Sequence, residues 1–484
     1  MTAVDSGGTP ASEVTSSHKL RGDMSTFKVL FTVLAFNGPI IALVAFLPVV
    51  VGYGNGVGAP AIYILAGGII ALFAIGFIKM ARHVQNPGGF YSYVTKGLGR
   101  ELGLGAALLA IVGYGMVYIG SYPLEGAFFK SALTDTLGGP DVPLWIWVFG
   151  LMAVISVFGY FNLEFSARAL VICMGLEVIA IVIFNATVMF KGGASGLSLD
   201  SFHPDNIFSG SVGIALLFAM MMFTGFEATV VFRDEVRDPD KTIPRAAFGF
   251  IAVIVVMYGL SVWALIQAIG PADAVAVTAA DPTGSVLSVM QQFAGKTFLD
   301  LVMVLLCTSG FAAALALHNV LARYIFNLGV DGIVWHRLGV PHPKHGSPSL
   351  ASVVLSVIAF AGQIVLFTTN SDPMFAYAPL SGGFAYALML LLLVTAVAII
   401  VFLHRARPTD TTTWHRVIAP AFAIVGLLVT LWLATTNISL LVTGGDWVVA
   451  TMFVVIFGSL VVGAIWARIL KQTRPELYAK IGRQ

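Results

Sequence analysis

The stretch GSVGIALLFAMMMFTGFEATVVFRDEVRDPDKTIPRA, Gly210 to Ala246, decides the reading of this chain. An apolar run long enough to enter a bilayer is interrupted at Thr224-Gly225. Glu227 stands just past the interruption, and a dense charged loop follows. A carboxylate is costly in hydrocarbon, so inside a membrane helix it usually faces a cavity and marks a solute pathway. A helix broken at membrane depth is tolerated only where protein or a water-filled site satisfies the freed backbone groups. Together the two features point to a binding site for a solute within a membrane.

The rest of the chain has the composition that this reading requires. Of 484 residues, 58% are hydrophobic and 10% charged, against about 25% charged in an ordinary soluble domain. Mean hydropathy is +0.92. The 51 glycines suit close helix packing in lipid. A net charge of +2 without a basic run gives no footing for nucleic acid. The two cysteines, Cys173 and Cys307, each lie in an apolar segment, which fits buried small side chains rather than a disulfide framework or a zinc site. Neither a cofactor nor a resident metal is expected.

About twelve spans of bilayer length follow along the chain, at 27–50, 60–80, 102–130, 144–162, 167–190, 209–232, 246–270, 297–327, 348–368, 376–403, 416–435 and 446–468. Residues 1–24 are rich in Ser, Thr and Gly and read as a disordered tail. The first apolar segment is too long for the core of a signal peptide and is kept as a membrane helix. With both ends placed in the cytoplasm, only Lys130, Lys191 and Lys296 of the 26 basic residues fall outside. That asymmetry predicts a multi-pass protein of the cytoplasmic membrane with both termini inside.

The first span mirrors the sixth. Phe36-Asn37-Gly38-Pro39 carries Phe-x-Gly before a helix breaker, and Phe223-Thr224-Gly225 repeats it. Interrupted segments at matching places in two halves are the mark of an inverted-repeat transporter.

Three motifs then give a family resemblance. After span two come Lys79-Met80-Ala81-Arg82 and Asn86-Pro87-Gly88-Gly89-Phe90-Tyr91-Ser92-Tyr93. After span six come Gly225-Phe226-Glu227, Asp234-Glu235-Val236-Arg237-Asp238-Pro239 and Thr242-Ile243-Pro244-Arg245-Ala246. After span eight come Arg323-Tyr324-Ile325-Phe326, Gly329, Asp331-Gly332 and Ser347-Pro348. In order and spacing, from about residue 25 to 430, the chain resembles the amino acid–polyamine–organocation transporters, of amino acid permease type. The resemblance implies an all-α membrane protein with two inverted five-helix repeats, the leucine-transporter-like fold, and two further helices. The repeats would occupy 25–208 and 209–404, spans eleven and twelve 405–470, and a second cytoplasmic tail 471–484. It implies a secondary active transporter, not an enzyme, moving an amino acid or related amine by alternating access. A polyamine or organic-cation permease and an amino acid exchanger are the alternatives, and a transporter-like nutrient sensor a remoter one.

Broken helices supply the chemistry for such a cargo. One half-helix exposes N–H groups that suit a carboxylate, and the other exposes carbonyls that suit an amine. Gly38, Ile41 and Ala42 are the candidates on span one, and Phe223, Thr224 and Gly225 on span six. Phe223 either covers the cargo or packs in the core. Tyr114, Tyr118 and Tyr122 recur every fourth residue on span three and share one face, as a cavity wall or as interhelical packing. Two departures from the family pattern stand out. Aligned back from Pro48, the glycine cluster usual at the first break is replaced by Ile41-Ala42-Leu43, which leaves room for an amine or organic cation without an α-amino acid frame. Glu177 stands where several proton-coupled relatives carry a lysine. A carboxyl among Leu, Val and Ile can carry a proton, so Glu177, with Glu227 as its competitor, is the candidate for proton coupling.

Other positions carry weaker signals. Pro244 reads as the start of a helix, with Asp238 and Asp240 before it. Arg233, Asp234, Glu235 and Arg245 either form a cytoplasmic gate or remain a solvated loop. Thr308 and Ser309 lie near where related folds hold sodium, although such hydroxyls more often bond backbone. Glu125 faces an outer vestibule or pairs with Lys130. His318 is a pH sensor or a hydrogen-bonded structural group. Gly193-Ala194-Ser195-Gly196 matches a rhomboid-type string but falls in a loop. Neither a His-Glu-x-x-His zinc motif nor a nucleotide-binding loop occurs, so nothing supports a metalloprotease or an ATP-driven pump.

Overall fold

In the computed structural model the described residues are 24–84, 89–161, 167–369, 377–440, 442 and 445–482. The tail before Met24 and the loop residues Asn86, Pro87 and Gly88 lie outside them. Among the described residues the chain is helical, and its one β-bridge joins Met24 to Val236.

Span one is built from α1 (Thr26–Asn37), α2 (Pro39–Ala45) and the short α3 (Leu47–Val49), which opens into a wide turn at Val50–Asn55. Span two is α4 (Ala59–Ala81). An amphipathic α5 (Phe90–Leu98) leads into span three, α6 (Arg100–Ser131). Then come α7 (Leu144–Phe161), α8 (Ala167–Lys191) and the single turn α9 (Pro204–Ile207). Span six is α10 (Val212–Met221) followed, after a turn, by a 3-10 segment, Phe226–Glu235. Span seven is α11 (Pro239–Ile269). Two short helices, α12 (Ala274–Ala280) and α13 (Pro282–Ala294), precede span eight, α14 (Lys296–Val330). The chain ends with α15 (Ser349–Thr369), α16 (Tyr377–Ala406), α17 (Ala419–Thr436), α18 (Asp446–Thr473) and the turn α19 (Pro475–Tyr478).

Eleven continuous stretches of the described chain are long and apolar enough to cross a bilayer. The first, Pro39–Ala81, has 43 residues, about twice what one crossing needs. It holds the back half of span one and all of span two, so the twelve-span reading counts the same helices differently. The most apolar stretch of span six is 78% buried within the protein, whereas that of span twelve is 17% buried. Span six therefore runs through the centre and span twelve along the lipid-facing rim. Around that centre, α2 packs on α8 and α14, and α1 on α8 and α11, while α6 touches α7, α14, α16 and α18.

Pro123 and Pro244 lie inside helices, and in each case a neighbour makes up the loss. Proline removes the N–H that would bond the carbonyl four residues earlier. Pro123 thus frees the carbonyl of Ile119, which accepts a hydrogen bond from Gln363 Nε2 on α15. Pro244 frees the carbonyl of Asp240, which accepts from Arg82 Nη2 at 3.0 Å. The second pair corrects the expected start of span seven. Asp238 is the N-cap residue and Pro239 the first helical residue, so Pro244 and Asp240 both lie within α11. The earlier Asp-Pro pair is the stronger stop signal, because a residue before proline is pushed away from helical geometry.

Candidate substrate site at the two helix breaks

The first break falls at Gly38, which takes a left-handed conformation, φ 58° and ψ 70°. A Cβ there would lie 2.9 Å from Ile41 Cγ2 and 3.1 Å from Ser309 Oγ. Both the conformation and the space select glycine. Pro39 has no N–H to offer, so the first donor of α2 is Ile40. Its N–H reaches Glu177 Oε2 at 3.1 Å, and Ser309 Oγ donates to the same oxygen at 3.0 Å. Ile41 and Ala42 therefore sit buried in the first turn of α2, and the break lies about one turn earlier than an alignment from Pro48 places it.

The second break falls at Gly225, φ 108°, again left-handed. Its N–H donates to Glu227 Oε2 at 2.9 Å, and Tyr114 Oη donates to Glu227 Oε1 at 3.4 Å. Thr224 turns its hydroxyl onto the carbonyl of Met221, 2.6 Å away. Phe223 is fully buried beside Gly67 of α4, where a Cβ would stand 3.4 Å from its Cζ.

Asn37 joins the two breaks. Its Nδ2 donates to the carbonyls of Met222 at 2.6 Å and Thr224 at 3.5 Å. Its Oδ1 accepts from Tyr258 Oη of α11. These carbonyls belong to the end of α10, where no intrahelical donor remains. Nothing in the sequence reading gave Asn37 a role. The signal was an amide directly before Gly-Pro inside an apolar span.

The tyrosine face of α6 points toward this region. Tyr114 meets Glu227, and Tyr118 Oη lies 2.7 Å from His318 Nδ1, whose Nε2 lies 2.7 Å from Ser352 Oγ. His318 is thus a buried link between three spans. Tyr122 packs edge-on against Tyr118, ring centroids 5.1 Å apart. One turn further stands Glu125, only 2% exposed, with Ser121 of the same helix beside its carboxyl. Lys130 pairs instead with Asp141 at 2.8 Å. The Glu125 stem lies against Gly310 of α14, beside Ile41 Cδ1. Glu125 and Glu177 therefore approach the start of α2 on neighbouring residues of span eight, Gly310 and Ser309.

Thr308 bonds the carbonyl of Leu305 in its own helix at 3.0 Å, and Ser309 is engaged by Glu177. Among the described residues no three His, Cys, Asp or Glu side chains gather as metal ligands would. An open apolar groove is lined by Ile64, Met189, Val255 and Trp263.

At the basic end of the bundle, two aspartates gather cations from the segments that follow spans two and six. Asp410 accepts from Lys79 Nζ and Arg82 Nη1, both at 3.3 Å, and lies 3.1 Å from His83 Nε2. Asp240 meets Arg82 Nε at 3.4 Å and Arg233 Nη2 at 3.3 Å. Partial burial works against the charged form of Asp410, but the His83 and Lys79 hydrogen bonds outweigh it and hold this carboxyl below its ordinary range. Of the four expected gate residues, Arg233 belongs to this network. Glu235 contributes its backbone carbonyl to the Met24 N–H at 3.1 Å, Arg245 is exposed on α11, and the Asp234 side chain lies outside the described residues. The expectation missed Asp410, 331 residues from Lys79 in sequence.

Comparison with known proteins agrees with this architecture. The family model described as amino acid permease matches residues 30–477. A low-affinity putrescine importer of Escherichia coli (strain K12) is 25% identical over 378 residues, 76% of this chain and 79% of its own length. A branched-chain amino acid permease of Lactococcus lactis subsp. cremoris is 26% identical, covering 62% of this chain and 67% of its own. A gamma-aminobutyric acid permease of Escherichia coli (strain K12) is 26% identical over 52% of this chain and 55% of its own.

Proposed function

The chain belongs to the amino acid permease family, and from that premise we propose that it is a proton-coupled secondary transporter of an amino acid or related amine. The observation that carries this reading is the pair of facing breaks tied by Asn37. Two helices interrupted by left-handed glycines, at the centre of a membrane bundle, supply the discontinuous backbone from which such sites are made. The relatives named for putrescine, branched-chain amino acids and gamma-aminobutyric acid support a small nitrogenous cargo.

In this proposal residues 25–208 and 209–404 are the two inverted repeats, and 405–470 completes the bundle. The basic end faces the cytoplasm, by the charge asymmetry of the loops. The Asp240 and Asp410 network closes that side while the site faces outward, and its release opens the inward path. Glu177 is the proton carrier. It touches the mobile element directly, through Ile40 N–H, and the fixed one through Ser309. Loading and losing a proton there alters how firmly α2 is held, which couples the gradient to the rocking of span one.

The test is uptake by purified protein in proteoliposomes, with labelled amino acids and amines under an imposed inward proton gradient. Gradient-dependent accumulation of at least one of them is expected. Equal uptake with and without the gradient would remove proton coupling, and no uptake of any would remove the transport assignment.

A further inference from the structure

Glu177 is buried, so a proton leaving it for the cytoplasm must cross apolar helices. Inside a membrane that passage is made by groups that each accept one proton and release another. Spans three, eight and nine hold a chain of such groups. Ser309, which bonds Glu177, and Gly310 are neighbours on α14. A Cβ on Gly310 would lie 3.2 Å from Glu125 Cγ of α6. One turn along α6, Tyr122 hydrogen-bonds Tyr118, with ring centroids 5.1 Å apart. Tyr118 Oη lies 2.7 Å from His318 Nδ1, and His318 Nε2 lies 2.7 Å from Ser352 Oγ.

The chain runs toward the basic end. His318 stands about 14 Å further along α14 than Ser309. Ser352 lies within a turn of the start of α15, just after a loop that carries Arg337 and Lys344. Gly159 of α7 covers the imidazole from a further side, where any Cβ would collide with the ring. The next residue, Tyr160, accepts at its carbonyl from Ser347 Oγ at 2.7 Å and has its ring against His342. His345 stands beside it, 4.8 Å from His342 between ring centroids. Imidazole is a common proton shuttle, so this pair suits a mouth where protons pass to water.

We propose that Tyr122, Tyr118, His318 and Ser352 form the proton's exit path, fed from Glu125 and separate from the path of the cargo. This rests on the proton-coupled reading above and adds the route by which the proton leaves. A proton reaching Tyr122 Oη sends the phenol proton to Tyr118 Oη, whose own proton goes to His318 Nδ1. The imidazole then gives its Nε2 proton to Ser352 Oγ, and the hydroxyl proton passes to cytoplasmic water. Each O–H or N–H bond broken is replaced by one formed, so no group in the chain keeps a charge. The hydroxyls and the ring must turn before the next proton passes.

Proteoliposomes of purified full-length protein test this. An internal pH dye reads proton entry, and labelled leucine, 4-aminobutanoate and 1,4-diaminobutane serve as cargoes. His318→Gln keeps an acceptor for Tyr118 and a donor for Ser352 but cannot pass a proton. Exchange at equal cargo concentrations should stay within about twofold of wild type, while proton entry and gradient-driven accumulation fall by roughly tenfold or more. A merely structural histidine would move exchange and accumulation together. Should His318→Gln fail to fold, Ser352→Ala, which removes the last acceptor of the chain, is read the same way. Wild-type proton entry and accumulation in a folded variant overturn the proposal, as does an equal loss of exchange. If wild type accumulates none of the three cargoes under the gradient, proton coupling and this path fall together. If wild type accumulates one and the variants match it, this path alone falls.

Discussion

Asn37 Nδ2 lies 2.6 Å from the carbonyl oxygen of Met222, so the last residue of the first half-helix holds the open end of the other broken span. The contact is reinforced by Tyr258 on the amide oxygen. One side chain thus satisfies a helix end that would otherwise stand bare at membrane depth. Asn37→Leu removes the donor and strands the Met222 carbonyl. A buried unsatisfied carbonyl costs about 1–3 kcal/mol. The variant should unfold at a lower temperature in detergent and lose most uptake in proteoliposomes. Wild-type melting and uptake would show that the bridge carries no energy.

Gly225 cannot be replaced without strain. A side chain in the left-handed region costs about 1–2 kcal/mol, and the turn leaves no helical alternative. Gly225→Leu should reach the membrane in normal amount, yet transport should fall by roughly tenfold or more. Uptake with unchanged affinity would place the cargo away from span six.

Glu177→Gln keeps an acceptor for Ile40 N–H and Ser309 and abolishes titration. The variant should still bind cargo and exchange it across the membrane. It should lose accumulation against a gradient and the pH dependence of uptake. Accumulation with the wild-type pH profile would make Glu177 structural and move the coupling role to Glu227.

Asp410 makes a prediction in acid. Its carboxyl titrates below the ordinary range in the folded protein. Its contribution to stability is therefore complete above the unfolded value, about 3.9, and is lost as pH falls through the lower folded value. Near neutrality Asp410→Asn should lower stability only slightly, by under about 1 kcal/mol, because these pairs are partly solvated. The difference between wild type and variant should persist from neutral pH down to the ordinary carboxylate range, then vanish. A difference that shrinks between pH 8 and 6 would show another group at work.

Orientation can be checked with single cysteines in a chain lacking Cys173 and Cys307. Thr409 and Ser195 are both exposed, in loops at opposite ends of the bundle. Ser195→Cys should react with an impermeant maleimide in intact cells, and Thr409→Cys only with a permeant one. The reverse pattern would invert the topology.

Much of this was legible along the sequence, and the misses share a cause. Gly38 and Gly225 announce themselves because a glycine beside a proline or a threonine in an apolar run has few other uses. Glu177 was legible by its isolation among Leu, Val and Ile. Asn37, Glu125 and Asp410 were not, because their meaning lies in neighbours far away in the chain. The Asn37 partner is 185 residues distant. Glu125 reads along the sequence as facing an outer vestibule or pairing with Lys130, and the fold gives Lys130 to Asp141. The Pro244 misreading has the same origin: that proline sits inside a helix, and Arg82, from another loop, takes the carbonyl it frees.

The proline in span three has a mechanical consequence. Ile119 on α6 holds Gln363 of α15, and one residue away Tyr118 holds His318 of α14, which holds Ser352 of α15. Sliding any of these three helices past another would leave a bare carbonyl or a stripped imidazole in hydrocarbon, at several kcal/mol each. Spans three, eight and nine are thereby riveted into a chassis. The half-helices α1, α2 and α10 meet at breaks, where rotation costs little backbone bonding. In the proposed transport cycle the short pieces would move and the long ones would stay in place.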